Sequence, residues 1–192
     1  ATASGVIAVG AMDARTMWTS ADGTEHGLVG ATTGERAPFS VPGPTRDGRL
    51  KPELVAPGRT VAASMSAQAS IHNPASIFYT GGSQRKVMPD GRHAVSSGTS
   101  MAAPFAAGAC ALVLQREPEL TGLDLLGRIQ VGCKADAQTG HGLFDPGWGF
   151  GKLRVDDLLA GLAAEDTQAD AKESLCGIGR AWMPTDDRQL VR

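Results

Sequence analysis

The chain has 192 residues, of which 42% are hydrophobic and 20% charged, a composition typical of a globular domain with a real core. Its net charge of −2 is scattered along the chain, which excludes the basic stripe of a nucleic-acid-binding protein. The longest uncharged apolar stretch, Met101–Leu114, falls short of the ~18 residues that indicate a membrane span, so a buried helix is predicted there. Aromatic residues make up only 5%, which predicts packing by Ala, Val and Leu.

The first predicted element in chain order is a buried parallel strand at Gly5–Ala11, a β-branched run flanked by glycines. The polar stretch Met12–Pro38 has no sustained period and predicts a loop or a surface hairpin. A strand followed by a turn is predicted at Glu53–Gly58, a short strand at Thr60–Met65, and a brief strand or extended turn at His93–Ser100.

Three helices are predicted in the second half of the chain. The first runs from Ser100 to about Arg116 and is apolar on every face up to that arginine. The second follows Thr121, a suitable N-cap, with Asp124 three residues later. The third occupies residues 154–164. Strands that alternate with helices in this way predict an α/β domain with a mainly parallel sheet.

Ser100 is the first candidate for chemistry, because it lies between a polar segment and a run of small apolar residues. Gly98 allows a sharp turn there, and Thr99 and Ser100 place hydroxyls in the first helical turn. A helix N-terminus stabilises negative charge, which a nucleophilic serine needs for its oxyanion intermediate. A plain serine N-cap explains the same local pattern, so these local features leave both interpretations open.

The segment from Gly98 to Gly108, GTSMAAPFAAG, resembles the nucleophile segment of the subtilisin-like serine proteases (subtilases, the peptidase S8 family). Seven of its positions match that family's pattern, and Phe105 stands at a packing position where the family usually has histidine. GVIAVGAMD, the stretch 37–58 and GWGFGKLRVDDLLA are similar to further family segments in the same order, although Val41-Pro42 replaces the usual Ser-Arg. The resemblance runs from Gly5 to Leu162, with an unusual insertion between residues 13 and 38.

This resemblance implies a subtilisin-like α/β fold of which only the C-terminal portion is present. It assigns residues 1–163 to the C-terminal part of the catalytic domain, and residues 164–192 to a linker and the start of a following domain. It also implies a serine endopeptidase that hydrolyses peptide bonds through an acyl-serine intermediate. Ser100 would be the nucleophile, Thr99 would add a hydroxyl near the oxyanion, and Gly98 would support the loop.

In subtilases the Asp and His motifs, and the Asn that helps to bind the oxyanion, precede the segment that resembles GVIAVGA. We therefore expect an upstream half of the domain to supply them as a partner, and the fragment alone to be inactive. An isolated half would expose a strand edge and one face of the first helix, which the upstream half or self-association would cover. The alternative is a pseudoprotease or partner-binding scaffold. An α/β-hydrolase esterase is disfavoured, because the Gly-x-Ser-x-Gly pattern is absent.

The resemblance further implies a secreted or periplasmic location and a peptide or protein substrate. Many subtilases bind calcium, but no Asp-rich loop here has a convincing ligand spacing, so neither a metal nor another cofactor is predicted.

The four histidines offer no convincing catalytic base within the chain. His26, near Asp22, faintly resembles the family's histidine motif but lies inside the insertion, so we predict an exposed loop residue. His141 is assigned to the structure of a glycine-rich loop and His72 to a loop surface. His93 precedes the Ser100 segment, where it could support the site from behind.

Two other sets of residues have structural explanations. Lys51 and Glu53 are interpreted as a solvated or structural pair rather than a catalytic one. The cysteines lack the C-x-x-C spacing of a metal site, and Cys110 is expected to pack as a small hydrophobic residue. Cys133 and Cys176 either stay free or form a bridge in an oxidising compartment.

Overall fold

The computed structural model describes residues 5–81, 84–140 and 143–165. Its strands are β1 (Val9–Asp13), β2 (Met17–Thr19), β3 (Glu25–Gly27), β4 (Leu54–Arg59), β5 (Val61–Ser64), β6 (His93–Ser96), β7 (Cys133–Lys134) and β8 (Lys152–Leu153). Its helices are α1 (Thr99–Arg116), α2 (Gly122–Val131) and α3 (Val155–Glu165). The predicted segment 164–192 lies outside the described residues after Glu165, as does His141.

A four-stranded sheet with the order β1-β4-β8-β7 organises the domain. Val9 lies opposite Leu54 and Val55 opposite Lys152 in two parallel pairs, whereas β7 and β8 are antiparallel. The predicted α/β class with a mainly parallel sheet is confirmed.

Strand β1 begins later than the sequence predicts, at Val9 instead of Gly5. The reason is its neighbour, because β4 begins only at Leu54, directly opposite Val9. Residues 5–8 therefore have no strand beside them, and Val6 is exposed. Just before the pairing of β1 with β4 begins, the carbonyl of Ala8 accepts the N–H of Glu53 at 2.9 Å.

Two antiparallel strand pairs lie outside the main sheet. Strands β2 and β3 pair within the stretch predicted to be a loop or surface hairpin. The indole N–H of Trp18 on β2 donates to the carbonyl of Arg85 at 2.9 Å, which fixes this hairpin to a distant segment. Strands β5 and β6 form the second pair, in which Val61 lies opposite Ser96. Strand β6 leads the chain directly to the start of α1.

Helix α1 packs on β1 and β4 through a row of small side chains. Ala102, Ala106, Ala109 and Val113 are buried on that face. The contact is close because Gly58 of β4 has no side chain: a Cβ there would lie 2.5 Å from the Cβ of Ala11 and 3.1 Å from that of Ala102. The expected packing by small residues is confirmed in this layer.

The surface of α1 beside this buried row is open to solvent in the described part of the chain. Phe105 and Leu112, which flank the buried row, are 42% and 41% exposed. The sequence predicts a helix that needs covering on all sides, and the structure covers one side only. This matches the expectation that a partial domain leaves one face of the helix exposed.

Helices α2 and α3 close the core behind α1. The hydroxyl of Thr121 accepts the N–H of Asp124, and the Asp124 carboxylate accepts the N–H of Thr121, so the predicted N-cap is a complete capping box. Ile129 of α2 is fully buried, and Leu158 of α3 nearly so. Cys110 packs at the edge of the same cluster, as predicted.

Candidate active site

Ser100 is the second residue of α1, and its side chain is exposed. Gly98 is the N-cap and offers no side chain to the first helical amides, and the first turn carries no acidic residue. The leading N–H groups of a helix have no partners within it, and the helix dipole adds partial positive charge there. Any negative charge that forms on an atom beside Ser100 is therefore stabilised.

The backbone conformation of Gly98 sets the direction in which the helix begins. Its φ of 155° and ψ of 157° belong to a region that is essentially restricted to glycine. Its N–H donates to the carbonyl of Gly58 at 2.8 Å, and its carbonyl accepts the N–H of Met101 at 2.9 Å. The turn into α1 is thus tied to the end of β4 by main-chain atoms.

Pro104 has a direct effect on the backbone at Ser100. In an α-helix the N–H of residue 104 would donate to the carbonyl of residue 100, and proline has no N–H to donate. The first turn of α1 therefore lacks one of its usual hydrogen bonds at the residue that carries the candidate nucleophile.

A cleft of about 570 Å³ opens beside Ser100. Its lining comes from residues 7–10, from the loop 39–45, from residues 51–52 and from Thr99, Ser100 and Ala103 of α1. The hydroxyl-bearing start of α1 therefore faces an open space of ligand size rather than packed side chains.

The wall of the cleft opposite α1 is held by a buried serine. Ser40 is 1% exposed, and its hydroxyl accepts the N–H of Ala11 at 2.9 Å. This bond fastens the loop 39–45 to strand β1. No local sequence pattern marks Ser40, because its partner Ala11 lies on a strand 29 residues away.

Lys51 and Glu53 form a buried structural pair beneath the same wall. Glu53 is 6% exposed, and its Oε2 accepts the N–H of Ala8 at 2.7 Å. The Lys51 ammonium donates to Glu53 Oε1 and to the carbonyl of Val6. The prediction of a structural pair is confirmed, and its burial shows that it is not a solvated pair.

The histidines of the described residues lie away from this cleft. His26 is half-buried on β3, not in an exposed loop as predicted, because its Nε2 is hydrogen-bonded to the buried hydroxyl of Ser20 at 2.8 Å. Hydrogen bonds from Ser20 and Thr24 lower the pKa of Asp22 to about 2. These contacts close the turn of the β2–β3 hairpin, so Asp22 and His26 have a structural explanation.

His93 and His72 also lie outside the cleft lining. The Nδ1 atom of His93 lies 2.5 Å from the carboxylate of Asp90, and both side chains are about half exposed. Hydrogen bonds from the N–H of Arg92 and from the His93 ring lower the pKa of Asp90 to about 2. His93 is therefore paired with Asp90, three residues earlier in the chain. His72 is exposed in a loop, as predicted.

The described residues that line the cleft include no histidine and no carboxylate. A serine hydroxyl is a weak nucleophile unless an adjacent base takes its proton. The described residues therefore bring together an exposed serine hydroxyl, the N-terminus of a helix and a cleft, and the part of the cleft that they line contains no base.

Cys110 and Cys133 are free thiols, and burial raises the pKa of Cys133 to about 12. Cys176, the other partner considered for a bridge, lies outside the described residues. The described ranges hold no group of three or more His, Cys, Asp or Glu side chains placed to bind a metal ion. The same ranges contain no helix with the length and apolar character needed to cross a bilayer.

Comparison with known proteins decides the family. The family model described as "Subtilase family" matches residues 1–149. The chain belongs to the subtilase family. The predicted resemblance is thereby confirmed, and the sheet and helices described above form part of a subtilase domain.

Curated relatives of this subtilase chain include two proteases. "Serine protease AprX" of Bacillus subtilis (strain 168) is 36% identical over 116 residues, which are 60% of this chain and 22% of the relative. "Subtilisin-like protease SBT4.4" of Arabidopsis thaliana is 33% identical over 153 residues, which are 75% of this chain and 19% of the relative. The chain thus spans about a fifth of the length of these relatives.

Solved structures show the same fold. Fervidolysin from Fervidobacterium pennivorans, described as a keratinolytic enzyme related to subtilisin, aligns with a TM-score of 0.52 at 26% identity. That alignment covers 82% of this chain and 19% of fervidolysin. The CspB protease of Clostridium perfringens aligns with a TM-score of 0.54 at 24% identity, over 84% of this chain and 28% of CspB. The subtilase chain corresponds to a part of each of these larger proteins.

Proposed function

We propose that Ser100 is the acyl-forming nucleophile of a serine endopeptidase, and that the remainder of the subtilase domain supplies its Asp and His. The observation that carries the proposal is the exposed position of Ser100 at the start of α1, directly beside a cleft of about 570 Å³. Family membership supports the reaction class, because subtilases are serine proteases.

In the proposed reaction a base takes the Ser100 proton while Oγ attacks the carbonyl carbon of a peptide bond. The carbonyl oxygen becomes an oxyanion, which the unpaired N–H of Ser100 at the start of α1 stabilises, and the Thr99 hydroxyl lies next to it in sequence. The amine then leaves with a proton from the base, and water hydrolyses the acyl-serine. These steps require neither a metal nor an organic cofactor, so the proposal includes none.

The proposal makes this chain inactive by itself, because the described cleft contains no base. The partner that we propose is the upstream half of the domain, which would bring the Asp and His motifs. The exposed apolar face of α1, with Phe105 and Leu112, supports such a partner, because apolar patches of this kind usually lie in interfaces. When the chain is isolated, self-association is the alternative way to cover this face.

A fluorophosphonate probe tests the nucleophile in the complete protein that contains this chain. The proposal expects covalent labelling of the complete protein, loss of labelling in Ser100→Ala, and no labelling of the isolated chain. Ser70→Ala is the matched control: it removes a hydroxyl that accepts the N–H of Asn73 in a surface loop, and it should leave labelling unchanged.

Each contrary result has a separate meaning. Labelling that persists in Ser100→Ala would refute the assignment of the nucleophile. A complete protein that folds and is never labelled would favour the pseudoprotease or scaffold alternative. Labelling of the isolated chain would refute the need for an upstream partner.

A secreted or periplasmic location is the remaining part of the proposal, and it rests on the family resemblance alone. Cell fractionation of the source organism, with detection of the complete protein by an antibody, tests it. Recovery of the protein only in the cytoplasmic fraction would contradict this location.

A further inference from the structure

Thr60 has an unusual backbone conformation at the junction between β4 and β5. Among the described residues it is the only one other than glycine with a positive φ, at 58°. A β-branched residue rarely adopts this left-handed conformation, because its side chain crowds the backbone. Thr60 is also 1% exposed, so the surrounding structure holds it in place.

The conformation of Thr60 directs its N–H toward the segment that precedes Ser100. That N–H donates to the hydroxyl of Ser97 at 3.0 Å. One residue further along, the N–H of Gly98 donates to the carbonyl of Gly58 at 2.8 Å. Two hydrogen bonds thus join residues 58–60 to residues 97–98, immediately before α1 begins.

These bonds continue the antiparallel pairing of β5 and β6 past its last residue pair, in which Val61 lies opposite Ser96. The hydroxyl of Ser97 replaces a backbone carbonyl as the acceptor for Thr60, because Gly98 turns the main chain away into the helix. A buried N–H requires a partner, and Ser97 provides it. The side chain at position 97 therefore determines how firmly the turn into α1 is held.

We propose that Ser97 and Thr60 are positioning residues that fix the Ser100 hydroxyl relative to the cleft. The inference rests on the proposed function of Ser100. Ser97 acts through Gly98, since it ties the chain on one side of the turn while the helix holds the other side. The local sequence gives no sign of this role, because Thr60 resembles an ordinary first residue of a strand.

The test compares Ser97→Ala with the wild type in the complete protein. Peptide hydrolysis is measured well below the thermal midpoint of both proteins. Because small displacements of a reacting group are costly, kcat is expected to fall by about 10- to 100-fold while KM changes by less than about threefold. Ser97→Thr keeps the hydroxyl and is expected to restore most of kcat.

Two further variants separate positioning from stability. Ser70→Ala removes a hydroxyl of the same kind, 3.1 Å from the N–H of Asn73, and should leave kcat unchanged. Ser97→Cys keeps almost the size of serine but offers a weak acceptor, and it should show reduced kcat even if Ser97→Ala does not fold.

Unchanged kcat in the folded Ser97 variants, together with labelling that depends on Ser100, would overturn this inference and leave the proposed function intact. Labelling that survives Ser100→Ala would overturn both. A parallel loss of kcat in Ser97→Ala and Ser97→Thr would also overturn the inference, because the hydroxyl would then not be the group that matters.

Discussion

Replacing Gly98 with alanine tests whether the turn into α1 depends on glycine. The residue has φ 155° and ψ 157°, a region in which side chains other than hydrogen are strained. An added Cβ at position 98 would not be crowded, because its nearest atom would be the N atom of Ser100 at 3.6 Å, an ordinary contact. Any effect of Gly98→Ala therefore measures backbone strain and not crowding.

The expected cost follows from the two ways in which the chain can respond. If the conformation is kept, an alanine in this region costs about 1–3 kcal/mol. If the backbone relaxes, the bond from Gly98 N–H to the Gly58 carbonyl is weakened, which costs about 0.5–1.5 kcal/mol and moves Ser100. We therefore expect a loss of about 0.5–3 kcal/mol in the free energy of unfolding, with the lower part of this range if the backbone relaxes.

Urea unfolding of the complete protein, followed by circular dichroism, measures this loss. Parent and variant both carry Ser100→Ala, so that self-digestion does not distort the curves. Gly127→Ala is the matched control, because Gly127 lies inside α2, has no positive φ and has nothing within 4 Å of an added Cβ. Alanine is favoured over glycine by about 0.5–1 kcal/mol in a helix interior, so this control should be neutral or stabilising. A Gly98→Ala variant as stable as its parent would refute the reasoning.

Three other changes test the packing, the charges and the thiols. Gly58→Ala should destabilise the complete protein by about 1–3 kcal/mol, because its Cβ would overlap that of Ala11 at 2.5 Å; an unchanged urea midpoint would contradict this. Asp22 has a pKa lowered from 3.8 to about 2, so it stabilises the fold above pH 4 and loses that effect as pH falls toward 2. The thermal midpoint of Asp22→Asn should therefore be below that of the wild type at pH 6, and a gap that does not narrow by pH 2 would be inconsistent with this. Burial raises the pKa of Cys133 to about 12, so iodoacetamide at pH 8 should modify it far more slowly in the native protein than in urea, as mass spectrometry can measure; equal rates would argue against burial.

Local sequence signals predicted the elements that depend on neighbouring residues. Helix α1 begins within one residue of its predicted start, since a glycine turn is followed by an uninterrupted apolar run. The capping box at Thr121 and Asp124 was likewise visible in the sequence, because both partners belong to one turn. The motif around Ser100 is also contiguous in the sequence, and its resemblance to the subtilase pattern led to the correct family.

Features that depend on distant partners were not predictable in this way. The start of β1 is set by Leu54 on another strand, and the half-buried state of His26 is set by the hydroxyl of Ser20, which follows the facing strand β2. The left-handed conformation of Thr60 follows from the junction of two strands with the segment before α1. No local pattern encodes these relationships, because each requires the folded chain to bring its partners together.

Strand β4 fixes the distance between two contacts that hold the site together. The residue before it, Glu53, anchors the wall of the cleft through Ala8, and near its other end Gly58 holds the entrance of α1. A one-residue deletion within these six residues would shorten the span by about 3.3 Å and turn every following side chain to the opposite surface. Length variation between homologues should consequently be accommodated in the loops on either side and not within this strand.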